Sequence, residues 1–462
     1  MRIWGPGAIA LMVTTLALAG SCRAELSPQV KADIDRTAER VLARTGAPSA
    51  SIAVVQDGKI AYLKAYGQAE LSPSRAATPQ MRYAIGSISK QFTAAAILIL
   101  AEQGKLTLED PVGKYIPGLT RGDQITIRQI LSHTSGYSDF WPQDYVFPDM
   151  MRTVTPQGIL DRWAKVPLDF EPGADWQYSN TGYVLAGVIV EKVSGEPLMS
   201  FLQKHVFAPL HMTSVVDFDN GPLPAEDARP YARFALGPQR LAPVSGRGWL
   251  FGAGELAMRP EDLARWDISE IDHSLLSARS YADQTKSVVL TSGRDPHYSL
   301  GLSIRASHGR RVLEHGGEVS GFTSENRIFP EDRAAIVVLT NAVDSSTSNG
   351  LADGIEAIMF PETDETRVAR AIFDDLRQGR IDRSKFTANA NDYFSAQALR
   401  DFADSLAPLG EPTGFKRLTY RLRGGMTAEV YQVEYAGRRL QIILRAMPDG
   451  RIEQFTVNPL AD

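Results

Sequence analysis

The chain has 462 residues, 44% of them apolar and 22% charged, the balance of an ordinary folded protein long enough for two or three domains. Its net charge of -5 and the lack of a basic run give no electrostatic footprint for nucleic acid. Cys22 stands alone, so no disulfide can form within the chain and the fold must rest on its apolar cores.

Arg2, the apolar run Ile3 to Ala19 and the small residues after it read as an export signal over residues 1 to 24. A membrane anchor fits less well, because Gly5, Pro6, Gly7, Thr14 and Thr15 make a poor spanning helix. Leu18-Ala19-Gly20-Ser21-Cys22 resembles a bacterial lipoprotein cleavage site, although the usual leucine lies one position too early, and cutting after Ala24 is the alternative. The expected location is periplasmic or secreted, with a lipid anchor at Cys22 as one form of it.

Ser51 to Gln56 and Lys59 to Tyr66 predict a hairpin, because Asp57-Gly58 between them is a two-residue turn that tolerates positive φ. Next comes Ala84-Ile85-Gly86-Ser87-Ile88-Ser89-Lys90, which reads as the start of a helix running through Glu102 and stopped by Gly104. Ser87 and Lys90 stand three residues apart there, a spacing that places both side chains on one helix face. Thr126 to Ser132 predicts a short helix before His133-Thr134-Ser135-Gly136. Tyr137 to Phe147 carries Tyr137, Phe140, Trp141, Tyr145 and Phe147 among prolines and aspartates, either as a loop lining a pocket or as a lid over a core.

Thr181 to Gly195 predicts a second apolar helix. Strands are expected at Leu302 to Ala306, Arg311 to Glu314, Thr323 to Phe329 and the buried run Ala334 to Thr340. The order of hairpin, helices, then strands implies one sheet assembled from both ends of a domain, with a helical insert between. Pro361 to Glu365 makes a polar linker. Beyond it, helices at Thr366 to Arg377 and Ala396 to Leu406 and four strand-like runs predict a small α+β domain over residues 363 to 462. Its expected role is structural or docking, within the chain or to a second copy.

Ser-x-x-Lys occurs once, at Ser87 and Lys90, and Tyr-x-Asn occurs once, at Tyr178-Ser179-Asn180 just before the second apolar helix. His315-Gly316-Gly317 follows at the end of a strand-like run. Each of these is a weak signal, and the ordered set is specific. With Leu131 to Gly136, Gly252 to Leu256 and Val337 to Asn341 around them, they make residues 27 to 345 resemble the serine hydrolases related to penicillin-binding proteins. The branch is that of class C β-lactamases, D-alanyl-D-alanine carboxypeptidases, D-aminopeptidases and β-lactamase-like esterases. The resemblance implies an α+β fold of the β-lactamase/DD-peptidase type over residues 25 to 362, an antiparallel sheet flanked by helices. For residues 363 to 462 it is looser, to small cystatin-like or nuclear-transport-factor-like domains.

A serine hydroxyl attacks a carbonyl only when a base takes its proton, and an ordinary lysine, with pKa near ~10.4, is charged at neutral pH. Burial, neighbouring positive charge and the helix dipole are expected to lower the Lys90 pKa enough for it to act as base. The resemblance implies that Tyr178 passes the proton from Ser87 to the leaving group. It also implies that Asn180 orients Lys90 and the substrate amide, and that the backbone amides of Ser87 and Glu318 form the oxyanion hole. Ser89 and His133 are read as structural. No cofactor and no metal is called for, because the remaining histidines lack metal-ligand spacing.

Class C β-lactamases carry Lys-Thr-Gly where His315, Gly316 and Gly317 stand, so a penicillin carboxylate loses a permanent cation and a hydroxyl. The expected function is therefore an exported serine hydrolase acting on a small amide or ester, such as a peptide with D-residues, through an acyl-enzyme on Ser87. The alternatives are a class C-like β-lactamase, or a penicillin- or peptide-binding sensor that is acylated once and does not turn over.

Overall fold

The computed structural model describes residues 25–143, 145–307, 310–361, 364–435 and 437–460. The expected export signal and Cys22 lie outside the described residues. Among the described residues, no helix is long and apolar enough to cross a membrane.

Helix α1 (Pro28–Thr45) leads into strands β1 (Ser49–Gln56), β2 (Lys59–Leu71) and β3 (Ser74–Ala76). The insert that follows carries α2 (Ser89–Glu102), α3 (Ile127–Leu131), α4 (Asn180–Ser194) and α5 (Pro260–Asp272) among other elements. The chain then returns to the sheet as β4 (Ser303–Ser307), β5 (Arg310–Val319), β6 (Phe322–Phe329) and β7 (Ala334–Thr340), closed by α6 (Ser345–Met359). The seven strands form one antiparallel sheet in the order β3-β2-β1-β7-β6-β5-β4. The first hairpin thus pairs directly with the last strand, with Ile52 opposite Val338 and Ala53 opposite Val337.

That join is set by burial on both faces. Ala53, Val337 and Leu339 point into the core shared with α2, α4 and α5, whereas Ile52, Val54, Ile336 and Val338 point into a second core under α1 and α6. A strand with apolar residues on both faces is stable only where layers cover both, which places β1 and β7 at the sheet centre.

The predicted elements around Ser87 and His315 differ in extent. Ser87 sits in a single 3-10 turn, Gly86–Ile88, and α2 proper starts at Ser89. His315, Gly316 and Gly317 lie inside β5 rather than past its end, because pairing with β6 continues to Val319 opposite Phe322. The two glycines hide this continuation from a propensity reading. β4 pairs only with Arg310 to Glu314, so the half of β5 from His315 onward is bordered by β6 on one side alone. This open edge faces the turn that carries Ser87.

Residues 364 to 460 build a unit with its own core. Helices α7 (Asp364–Arg377) and α8 (Ala396–Leu406) accompany a four-stranded antiparallel sheet of β8 (Gly414–Arg423), β9 (Met426–Tyr435), β10 (Arg438–Ala446) and β11 (Ile452–Pro459). Phe373, Phe394, Tyr431, Ile442 and Phe455 fill its interior. Of the expected linker, Glu362 and Thr363 lie outside the described residues, and α7 begins at Asp364, two residues earlier than the sequence predicts.

Ile336 is fully buried at the centre of the sheet. Ile336→Ala should destabilise the protein by about 2 to 4 kcal/mol, the ordinary cost of a core truncation, read as a lower midpoint in urea unfolding followed by circular dichroism.

Candidate active site

Ser87 is placed by a close approach of two backbones. The left-handed Gly86 bends the chain so that a Cβ at this position would lie 2.7 Å from the amide nitrogen of Glu318. On the facing strand, a Cβ on Gly317 would lie 1.9 Å from the carbonyl oxygen of Ile85. Ser324 on β6 reinforces the contact by donating to that carbonyl at 2.8 Å. Only glycines allow β5 to lie this close to the turn, and the approach brings the Glu318 amide beside Ser87.

Lys90 is completely buried in the first turn of α2. Its Nζ stands 2.9 Å from Ser87 Oγ, 2.8 Å from Asn180 Oδ1 and 2.8 Å from the carbonyl oxygen of Ala253. Burial lowers its pKa to about 7, against the opposing charges of Asp139 and Glu255. The expected positive neighbour is not what acts here: the charged groups facing Lys90 are acidic, and desolvation alone outweighs them. In the neutral amine, two N–H bonds are held by Asn180 Oδ1 and Ala253 O, which can only accept. The lone pair is left directed at the Ser87 hydroxyl.

Tyr178 comes from the loop before α4, and its hydroxyl hydrogen-bonds Ser87. Burial pushes its pKa upward, so it stays a neutral phenol. Its ring lies between the Lys90 Nζ, 4.9 Å from the centroid, and the His133 ring at 4.3 Å. Asn180 opens α4 and is oriented by Asp139, whose Oδ1 accepts from the Asn180 amide at 2.9 Å and whose Oδ2 accepts from Asn180 Nδ2 at 3.3 Å.

His315 points from β5 into the same interior and is 7% exposed. Burial, with the Lys90 charge second, lowers its pKa to about 4, so the ring is neutral at physiological pH. Gly316 and Gly317 line the cavity beside it. Ser87, Lys90, Tyr178, Asn180, His315, Gly316, Gly317 and the Glu318 amide therefore converge on one place. Ser89 turns away and accepts from the Leu256 amide at 3.1 Å, a structural contact.

The cavity in front of Ser87 has a volume of about 1120 Å3. Its lining includes the apolar and aromatic residues Phe140, Trp141, Tyr145, Val146, Trp249 and Leu250. The segment 137 to 147 thus takes both expected roles, since Phe140 and Trp141 face the cavity while Tyr137 is buried in the core. Sequence reasoning missed Asp139, the Ala253 carbonyl and Tyr298. Asp139 sits among aromatic residues with no motif around it, and a backbone carbonyl leaves no residue-type signal.

A serine on a glycine-bent turn, a buried amine with its lone pair on that serine and a backbone amide on a facing strand edge define a serine hydrolase of the penicillin-binding-protein type. The chain belongs to the Beta-lactamase family, whose sequence model matches residues 34–357. It is 28% identical over 327 residues to penicillin-binding protein 4* of Bacillus subtilis (strain 168), covering 67% of this chain and 72% of that one. A D-stereospecific amidohydrolase from Streptomyces sp. superposes with a TM-score of 0.62 at 27% identity, over 72% of this chain and 99% of that one. D-amino acid amidase from Ochrobactrum anthropi SV3 superposes with a TM-score of 0.63 at 24% identity, over 74% and 99%.

Asp139 holds the Lys90 pKa up, so Asp139→Asn should lower it. Labelling of Ser87 by a fluorophosphonate should rise with pH through about 7 in the wild type, as Lys90 loses its proton, and the rise should move to lower pH in the variant. An unmoved or upward-shifted inflection would show that another group controls the reaction.

Proposed function

We propose that the protein is an exported serine hydrolase that cleaves a small amide or ester of a D-configured amino acid bearing an apolar side chain, by turnover through an acyl-enzyme on Ser87. The observation that carries the reaction is the set of three contacts at Lys90 Nζ, which points a free electron pair at Ser87. Neutral Lys90 takes the Ser87 proton as Oγ bonds to the substrate carbonyl carbon. The Ser87 and Glu318 amides receive the developing oxyanion, a contribution of roughly 3 kcal/mol per donor.

The carbonyl then re-forms and expels the amine or alcohol, which takes a proton through the Tyr178 hydroxyl, and that proton is replaced from the Lys90 ammonium. Water repeats the sequence on the ester: Lys90 accepts its proton, hydroxide adds to the carbonyl, and Ser87 leaves with the proton restored. Tyr178 acts as a relay rather than as a phenolate base, in keeping with its raised pKa. Asn180 fixes the amine and keeps one amide hydrogen for substrate.

Three features support the substrate class. The aromatic residues in the cavity lining suit an apolar side chain. The similar proteins include a D-stereospecific amidohydrolase and a D-amino acid amidase, the latter complexed with L-phenylalanine amide. The neutral His315 offers no cation to a substrate carboxylate, so β-lactams and peptides with a free C-terminus would depend on Arg233, which is paired with Asp344, or Arg240 elsewhere in the cavity lining. Export rests on the sequence of residues 1 to 24, with Cys22 as the point of lipid attachment if cleavage falls before it.

The test is a panel of nitrocefin, D-alanyl-D-alanine peptides, D-amino-acid amides and p-nitrophenyl esters. Steady release from the D-phenylalanine amide and the short ester, abolished in Ser87→Ala, is expected. A single stoichiometric burst, or activity that survives Ser87→Ala, would overturn the reading. His315→Lys should restore a cation at this position and raise the ratio of carboxylate-bearing to neutral substrates turned over by about tenfold, the worth of one charge-assisted hydrogen bond. An unchanged ratio would show that His315 does not face the substrate carboxyl position.

A further inference from the structure

Behind Tyr178 lies a row of buried polar groups that the proposed reaction leaves without a part: His133, Tyr298 and His315. They are 1%, 3% and 7% exposed. The Tyr298 hydroxyl stands 3.2 Å from His133 Nε2 and 3.0 Å from His315 Nε2. We propose that Tyr298 is a positioning residue, the middle link of a one-directional hydrogen-bond chain that holds the Tyr178 loop and the β5 edge at a fixed spacing around Ser87.

The direction follows from proton accounting. The Ser179 amide donates to His133 Nδ1 at 3.1 Å, so that nitrogen is bare. Burial holds His133 neutral, which puts its one proton on Nε2, where it is donated to the Tyr298 oxygen. At the other end, His315 Nδ1 lies 2.6 Å from the Gly316 carbonyl oxygen, a group that can only accept, so Nδ1 carries the proton of this neutral ring. His315 Nε2 is then bare and accepts from the Tyr298 hydroxyl. Tyr183 lies beside Tyr298, and because its own proton goes to the Leu131 carbonyl at 2.6 Å its oxygen is a second acceptor for the Tyr298 hydroxyl, next to His315 Nε2 at 3.0 Å. Both imidazole tautomers are set, His133 by the Ser179 amide and His315 by the Gly316 carbonyl.

The two ends of the chain are the two walls of the site. His133 packs against the Tyr178 ring and holds the amide of the next residue, Ser179. His315 begins the Gly316-Gly317-Glu318 edge, whose last amide lies beside the Ser87 turn. Removing the central hydroxyl leaves His133 a donor without an acceptor and His315 an acceptor without a donor, so either wall can shift against the other. Displacement of a relay hydroxyl or an oxyanion donor by a fraction of an ångström lowers the rate of the chemical step more than it weakens substrate binding.

Long-range proton–nitrogen NMR of the full chain labelled at histidine nitrogen, between pH 6 and 8, reads the tautomers directly, with His133→Gln and His315→Gln assigning the signals. His133 protonated at Nε2 and His315 protonated at Nδ1 are expected. In Tyr298→Phe the tautomers should hold, since the Ser179 amide and the Gly316 carbonyl remain, while the His315 Nε2 signal should shift as its donor is lost and kcat for a p-nitrophenyl ester should fall about tenfold with KM within about twofold. His133→Gln, which keeps one acceptor and one donor, should retain several-fold more activity than His133→Leu, a difference that a space-filling role would not produce. Reversed tautomers in the wild type, or an unmoved His315 Nε2 signal together with an unchanged kcat in Tyr298→Phe, would overturn the proposal. Should Tyr298→Phe fail to fold, the wild-type tautomers and the His133→Gln and His133→Leu pair decide it.

Discussion

The burial of Lys90 is the constraint on which the rest of the site depends. An amine placed at the start of a core helix and sealed under α4 and the Ala253 segment cannot keep its proton at the ordinary value, because the charged form has lost its water. Two acidic side chains, Asp139 and Glu255, pull the other way. Burial pushes the Glu255 pKa up to about 8, which keeps it largely uncharged near neutrality and weakens its hold on the lysine proton. The balance leaves Lys90 near neutrality, the value at which a base combines availability with driving force. Its orientation is settled separately by two carbonyl oxygens.

A second constraint is steric. The turn around Ser87 and the open edge of β5 lie so close that side chains are excluded at Gly86 and Gly317, and this approach delivers the Glu318 amide. It also explains what differs from the lysine-threonine-glycine pattern of class C β-lactamases. The third position answers to backbone contact and stays glycine. Gly316 faces away from the turn, with Glu325 Oε2 3.1 Å from where its Cβ would stand, so it is free of that contact. His315 sits in the interior and is governed by hydrogen bonding with Tyr298. A change of residue at position 315 therefore alters the hydrogen bonding with Tyr298 as well as the charge offered to the cavity.

The main sheet and the C-terminal meander were both legible in the sequence because β-type periodicity survives wherever a strand is buried on one or both faces. Ala334 to Thr340 and the alternation in Tyr431, Val433 and Tyr435 announced their strands. The continuation of β5 through Gly316 and Gly317 was not legible, since glycine carries no pattern and only pairing with β6 shows it. The 3-10 turn at Ser87 was likewise hidden, because it is imposed by contact with β5 rather than by local propensity.

The residue types at Ser87, Lys90, Tyr178, Asn180 and His315, with their order along the chain, were enough to specify the class of hydrolase, because acyl transfer by serine needs a nucleophile, a base and an amide donor that few patterns supply. The tertiary structure alone decided how Lys90 loses its charge, since desolvation is a property of what surrounds the amine and not of its neighbours in sequence. It alone brought in Asp139, the Ala253 carbonyl and Tyr298, groups that lie 49, 163 and 208 residues from Lys90. Contacts over such separations leave no trace in local pattern, and the proton positions at His133 and His315 exist only once those contacts are made.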